Sequence, residues 1–291
     1  MILVITGPTG VGKTKLSLEL ARKYNAEIIN ADSMQIYKGL NIGTAKVENK
    51  MNIKHHLLDI VNIDEYYSVY NYQIDGRKIL NELINSNKNV IIVGGTGLYI
   101  SALLYDYKFN KESINNNYDD LTNEEIYNKI MEIDPNTKTH INNRQRLVRE
   151  LNRLLNKNSS NQGSKLLYDT IFIGLTTSRE NLYNIIDKRV DKMIEAGLLD
   201  EVKQLHSSNI RNRSIMTAIG YKELYQYFDG IISLEESIDL IKKNTRHYAK
   251  RQYTWFKNKM NITWFNVDFD KFDNTINEVN KYIEENRWKE S

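Results

Sequence analysis

Two hydrophobic signatures alternate along this chain. Residues 1–6 form a short apolar, β-branched run that stops at a glycine, the pattern of a strand buried on both faces. Past the glycines, Leu16, Leu20 and Tyr24 recur at helical spacing, so the order strand, loop, helix is predicted. Residues 27–30 read as a second strand, followed by the polar stretch 31–39. Residues 67–85 read as a helix with Ile74, Ile79 and Leu83 among its apolar positions, and residues 89–93 as another buried strand. That strand ends at Gly94, Gly95 and Gly97, after which residues 98–104 begin a further helix. The alternation predicts an α/β fold built from right-handed βαβ units, a parallel sheet with helices on both faces. Ligands on such sheets sit at the carboxyl ends of the strands.

Residues 108–168 break the rhythm, being polar and Asn-rich, with helix predicted over 123–156 and a loop near 158–163. They read as a mainly helical insertion domain that divides a core of residues 1–107 and 169–291. The core resumes with a strand at 170–175, and Ser178 caps a helix over 179–196 that Gly197 ends. Ser233 with Glu236 forms a capping box that opens a long helix to about residue 257. A last strand over 260–265 and a terminal helix over 272–287 complete the pattern.

Composition narrows the class. With 41% hydrophobic and 26% charged residues the chain lies in the ordinary globular range, which excludes wholesale disorder. No apolar run is long enough for a membrane helix, and the apolar start is too short for a signal peptide. The absence of cysteine excludes disulfides and thiolate zinc sites, and a reducing cytoplasm is the expected home. A net charge of +3 is too small to announce a nucleic-acid binder, but Lys and Arg cluster at 144–153 and again at 242–259.

Gly7-Pro8-Thr9-Gly10-Val11-Gly12-Lys13-Thr14 fits the phosphate-binding pattern G-x-x-x-x-G-K-[ST] and lies between a predicted strand and helix, the context that pattern requires. Its glycines let the backbone amides face a phosphate at the positive end of the next helix. Lys13 adds a point charge, and the Thr14 hydroxyl is placed to ligate Mg²⁺. A merely tight glycine turn explains neither residue. Past the second strand, Asp32 is expected near the phosphates, where a carboxylate can ligate the metal, act as a general base or cap a turn. Gly94-Gly95-Thr96-Gly97 is a second glycine-rich turn on the same edge, so the Thr96 hydroxyl can reach that crevice from the opposite side. His55 and His56 are neighbours that point apart, which makes them poor joint metal ligands.

Taken together the motifs resemble bacterial tRNA dimethylallyltransferases. They are the Gly7–Thr14 loop, the stretch from Asp32 through Lys46, His55-His56-Leu57-Leu58-Asp59, Val93 through Tyr99, Gln145-Arg146-Leu147-Val148-Arg149, Ala218-Ile219-Gly220-Tyr221-Lys222-Glu223, and Lys250 through Phe256. Seven blocks in this order span nearly the whole chain. Lys54, where a proline often precedes the paired histidines, and Met216-Thr217 depart from the pattern.

The resemblance implies a P-loop NTPase-like core that transfers a dimethylallyl group from dimethylallyl diphosphate to N6 of adenosine 37 beside the tRNA anticodon. It implies that residues 7–14 and Arg189 hold the diphosphate with Mg²⁺ at Thr14. It makes Asp32 the group that takes the N6 proton and puts Thr96 at the bridging oxygen of the leaving group. Residues 32–35 and 217–222 are then expected to close around a flipped base, with Asp32, Ser33, Met34, Gln35, Thr96, Gly220, Tyr221 and Lys222 as tRNA contacts. Gln145, Arg146, Leu147, Val148, Arg149, Lys250, Arg251 and Trp255 are expected to meet the anticodon stem-loop, with Arg246, Lys257, Tyr253 and Phe256 interleaved on the late helix. A monomer without membrane association is expected. Three rivals share the loop: a small-metabolite or nucleoside kinase using ATP, an enzyme prenylating free AMP, and a non-catalytic RNA-binding switch driven by nucleotide.

Overall fold

A computed structural model describes residues 1–109, 117–155 and 163–287. Its sheet contains β1 (Ile2–Thr6), β2 (Ala26–Asn30), β3 (His55–His56), β4 (Asn89–Val93), β5 (Ile171–Thr176) and β6 (Thr263–Asn266), in the order β3-β2-β4-β1-β5-β6. Every pairing is parallel, with Ile2 opposite Val90 on one side of β1 and Leu3 opposite Ile171 on the other. The chain steps outward from β1 to β2, returns to β4, and then crosses β1 to β5. That reversal opens a crevice at the carboxyl end of β1, where a doubly wound sheet binds its ligands.

The helices of the core are α1 (Lys13–Tyr24), α2 (Val69–Asn85), α3 (Gly97–Leu104), α6 (Arg179–Glu195), α7 (Leu198–Ser207), α8 (Arg213–Thr217), α9 (Tyr221–Phe228), α10 (Leu234–Lys259) and α11 (Phe272–Arg287). Side chains alternate across the sheet, which is why both faces are apolar. Leu3, Ile5, Ile28, Ile91, Ile173 and Leu175 pack with Leu16 and Leu20 of α1 and with Val279 and Ile283 of α11. Ile2, Val4, Val90 and Ile92 are buried on the opposite face, where α2 lies against β4. There the Tyr72 and Tyr99 rings stack at 4.0 Å, and Tyr72 donates to the Asn30 carbonyl at the end of β2.

Local signals set the element ends. The Ser178 hydroxyl accepts the Asn181 amide, Gly197 adopts φ 98° after α6, and Ser233 with Glu236 forms the capping box of α10. α7, α8 and α9 occupy a stretch for which the hydrophobic pattern gave no assignment, and β3 is a two-residue edge strand too short to have a period.

Contacts divide the chain into two units, Met1–Leu103 with Tyr168–Ser291, and Leu104–Leu167. The second contains α4 (Asn123–Ile133) and α5 (Arg144–Leu155) rather than one continuous helix. The break follows from Pro135, which disfavours helical geometry at the preceding residue; Asp134 caps α4 with φ −135° and ψ 88°. Ile126, Ile130, Leu147 and Leu151 form this unit's apolar core. The loop predicted at 158–163 lies, apart from Gly163, outside the described residues, as does the predicted helix end at 156.

Candidate active site

The turn between β1 and α1 is shaped for close approach. Gly7, Gly10 and Gly12 have φ of 136°, 91° and 89°, which side-chain-bearing residues rarely adopt. A Cβ on Gly7 would also lie 2.4 Å from the Leu175 carbonyl oxygen, and one on Gly12 2.6 Å from the Phe272 ring. Lys13 folds back over the turn and donates to the carbonyls of Gly7 at 3.0 Å and Pro8 at 2.8 Å. Burial pushes its ammonium down to about 8, with the Asp32 carboxylate opposing and the Arg189 guanidinium reinforcing the shift. A cavity of about 250 Å³ opens here, bounded by Gly10, Gly12, Lys13, Thr14, Asp32 and Arg189.

Asp32 stands just past β2, framed by the buried Asn30. The Asn30 side chain donates to the carbonyls of Asp32 and Leu57, and its oxygen accepts the Asp32 amide. Asp32 Oδ1 accepts the Met34 amide at 3.1 Å, so one carboxylate oxygen caps a turn while the group as a whole faces the crevice. The turn after β4 meets this segment directly. Thr96 donates its amide to the Ala31 carbonyl at 3.0 Å, and its Oγ1 accepts the Ser33 amide at 3.0 Å. A Cβ on Gly94 would fall 2.2 Å from Ala31, so this approach is closed to any larger residue.

A second cavity, of about 330 Å³, adjoins the first and shares Thr9, Asp32, Thr44 and Arg189 with it. Its remaining walls include Ser33, Met34, Thr217, Gly220, Tyr221, Lys222, Tyr248 and Arg251. Arg189, on α6, is half-buried between the two; burial lowers its pKa and the Asp32 charge opposes that shift. Gln35 lines the first cavity and donates to the Thr44 carbonyl at 3.0 Å. Of the sequence-predicted core residues, Lys13, Thr14, Asp32, Gln35 and Arg189 line the first chamber and Ser33, Met34, Gly220, Tyr221 and Lys222 the second, with Asp32 and Arg189 at the junction, whereas Thr96 lines neither and is bonded to Ser33.

Three groups at this site were given no role by the sequence, although Gln252 lies within the Lys250–Phe256 motif. Glu201 on α7 accepts the amides of Asn41, Ile42 and Gly43 and the Tyr221 hydroxyl, fixing the loop that bears Thr44. Tyr248 on α10 lines the second cavity; burial first, and then the Asp32 charge, raise its phenol well above the usual value. Gln252, one turn later, accepts the Thr9 amide at 2.9 Å and donates to the Gly95 carbonyl at 3.0 Å. Each is a polar residue on a helix whose pattern reads as merely amphipathic.

The basic-aromatic face of α10 is only partly free. Arg246 pairs with Asp187 at 2.6 Å and Lys242 with Asp191 at 2.6 Å, tying α10 to α6. Phe256 is fully buried, Tyr253 packs on Trp264 at 5.1 Å, and Trp255 lies so close to Gly97 that a Cβ there would be 2.1 Å from the indole. Lys250, Arg251 and Lys257 are exposed.

In the second unit Gln145, Arg146 and Arg149 are exposed on α5, whereas Leu147 is fully buried and Val148 packs against the same core. Leu147 therefore holds α5 in place and is out of reach of a ligand. His56 pairs with Glu27 at 2.7 Å, and His55 bonds the Ile53 carbonyl. Among the described residues no cluster of three or more His, Cys, Asp or Glu is arranged to hold a metal. No helix among them is long and apolar enough to cross a membrane.

A parallel α/β sheet whose switch point opens into a cationic, glycine-lined cradle, joined past one carboxylate to a roomier chamber, has the architecture of an α/β enzyme. The IPP transferase family model matches residues 35–259. A tRNA dimethylallyltransferase of Anoxybacillus flavithermus is 44% identical over 298 residues, covering 97% of this chain and 96% of that protein. One from Bacillus subtilis is 43% identical over 284 residues, covering 91% and 90%. Among solved structures, a tRNA delta(2)-isopentenylpyrophosphate transferase from Staphylococcus epidermidis superposes with a TM-score of 0.75 at 38% identity, covering 98% of this chain and 99% of that one. A eukaryotic dimethylallyltransferase acting on tRNA superposes with a TM-score of 0.81 at 30% identity, covering 98% and 79%. The chain belongs to the IPP transferase family and is a transferase.

Proposed function

We infer that this chain transfers a dimethylallyl group from dimethylallyl diphosphate to N6 of adenosine 37 in tRNA, releasing diphosphate. The observation that carries the reading is the junction: Asp32 and Arg189 bound both the glycine-lined chamber and the larger one. A donor in the first and a base in the second would meet at the carboxylate.

The loop 7–14 acts in this reading as a P-loop that grips a leaving diphosphate instead of a nucleotide. Its amides, Lys13 and Arg189 face the charge that builds as the allylic carbon–oxygen bond breaks, and preorganised donors of this kind act most strongly on developing charge. N6 attacks the allylic carbon, the electron pair of the broken bond leaves with the diphosphate, and the N6 proton passes to Asp32. In this reading Thr96, whose Oγ1 accepts the Ser33 amide, serves the bridging oxygen of the leaving group. Mg²⁺ fits the donor set: one hydroxyl, Thr14, and one carboxylate, Asp32, line the same chamber, which suits an ion held mainly by diphosphate oxygens and water. When bound it neutralises charge on the leaving group.

The acceptor base must leave its stack to enter the second chamber, walled by Ser33, Met34, Gly220, Tyr221 and Lys222. Exposed Lys250 and Arg251 on α10, and Gln145, Arg146 and Arg149 on α5, are the RNA-backbone contacts of this account. Trp255 serves it by packing on Gly97, and Leu147 and Val148 by forming the core under α5. We assign a monomer acting in the cytoplasm. Mass spectrometry of tRNA nucleosides from cells with and without this protein tests the reading. N6-isopentenyladenosine present only with it is the expected result; identical nucleoside profiles would refute it.

A further inference from the structure

We propose that Gln252 is a positioning residue that couples donor binding to RNA binding, because one buried amide holds both glycine-rich loops of the cradle to the helix that meets the RNA. The inference rests on the reading of the two chambers given above. Gln252 Oε1 accepts the Thr9 amide at 2.9 Å, and its Nε2 donates to the Gly95 carbonyl at 3.0 Å. The side chain is 5% exposed, so water does not stand in for either bond. The amide accepts from an N–H and donates to a C=O with one planar group whatever the pH, and the two backbone partners fix which end is oxygen. An ionised carboxylate of the same shape keeps the first bond and faces oxygen against oxygen at the second.

The clamp is tight. A Cβ on Gly95 would sit 2.0 Å from Gln252 Nε2, so the backbone comes as near to this amide as a residue without a side chain permits. Three residues on, Trp255 lies equally close on Gly97, and one turn earlier Tyr248 lines the second chamber. Gln252 and Trp255 therefore lie on one face of α10 against the Gly95–Gly97 turn, and Tyr248 shares that face at helical spacing. Lys250 and Arg251 are exposed between them, and Arg251 also walls the second chamber. RNA that settles α10 settles Thr9 and Gly95 with it. Coupling between two ligands is reciprocal, so diphosphate in the cradle equally favours RNA.

The test measures pyrophosphate affinity of the full chain with and without a saturating anticodon stem-loop RNA. For the wild type we expect RNA to tighten pyrophosphate by about fivefold or more. Gln252→Glu brings that ratio to about one while RNA still binds. Gly95→Ala, which displaces the amide without changing it, does the same and carries the test if the first variant does not fold. A purely structural role would lower melting temperature and leave the ratio intact, so a folded variant of either kind that keeps the wild-type ratio overturns the proposal. A wild type that prenylates tRNA but shows a ratio of one overturns it too. A wild type that transfers no prenyl group at all would instead sink the reading of the chambers.

Discussion

Asp32 has two duties, and they separate by atom. Its Oδ1 accepts the Met34 amide and so shapes the turn, while the carboxylate as a whole sits where both chambers open. Asp32→Ala should therefore lower turnover by about 10² or more, the usual cost of a lost general base, while tRNA binding measured by filter retention is largely kept. A variant with the wild-type rate would remove Asp32 from the chemistry. Lys13 gives a pH signature. Its folded-state pKa of about 8 lies below the ordinary 10.5, so between those values the unfolded chain binds the proton and the ligand-free fold does not. Stability of the free protein at this group therefore rises with pH across that window. Pyrophosphate needs the charged form, so its affinity should fall as pH climbs past about 8, with proton uptake on binding visible by calorimetry in buffers of different ionisation enthalpy. Because Asp32 raises the Lys13 value, Asp32→Ala should move the onset of that fall to lower pH. A flat affinity from pH 7 to 10 would contradict the assignment.

At the scale of elements, what the sequence made legible was what has a period or a stop signal. Ile2–Thr6, Asn89–Val93 and the capping box at Ser233 announce themselves because buried strands are apolar runs and helix starts need an acceptor for their free amides. The cradle was readable for the same reason: its glycines and Lys13 are dictated by local geometry. The roles of Glu201 and Gln252 were not, since each acts on backbone that is distant in sequence, and the Lys250–Phe256 motif that contains Gln252 does not say what it holds. α10 shows the limit clearly, because the basic and aromatic residues that suggested an RNA surface divide into exposed Lys250 and Arg251, paired Arg246 and buried Phe256. Lys250→Ala and Arg251→Ala should each weaken tRNA binding and flatten its salt dependence by about one unit of slope, as a lost phosphate contact does. Arg246→Ala should destabilise the fold and leave that slope nearly unchanged, since its guanidinium already pairs with Asp187. In α5, Leu147→Ala should cost about 2–5 kcal/mol within Leu104–Leu167, the range for emptying a buried leucine site. Hydrogen exchange that accelerates in α4 and α5 while β1 stays protected would record it; unchanged exchange in α5 would mean Leu147 is not holding that helix.

Across the molecule, a doubly wound sheet supplies the switch point and the helices after β5 supply the second chamber. In the proposed reading, chemistry is confined to the edge where the two meet. The central claim is that the glycine cradle holds a leaving pyrophosphate, not the phosphates of a phosphoryl donor. A double-label transfer assay addresses it most directly: purified protein, unmodified tRNA, dimethylallyl diphosphate labelled in its prenyl carbons, and ATP labelled in its γ-phosphate, together with nucleosides and AMP as small acceptors. Prenyl label should move to tRNA with loss of unlabelled pyrophosphate, and none of the γ-phosphate should move to any acceptor. Phosphate label appearing on a small acceptor, with no carbon label on tRNA, would contradict the account at its root.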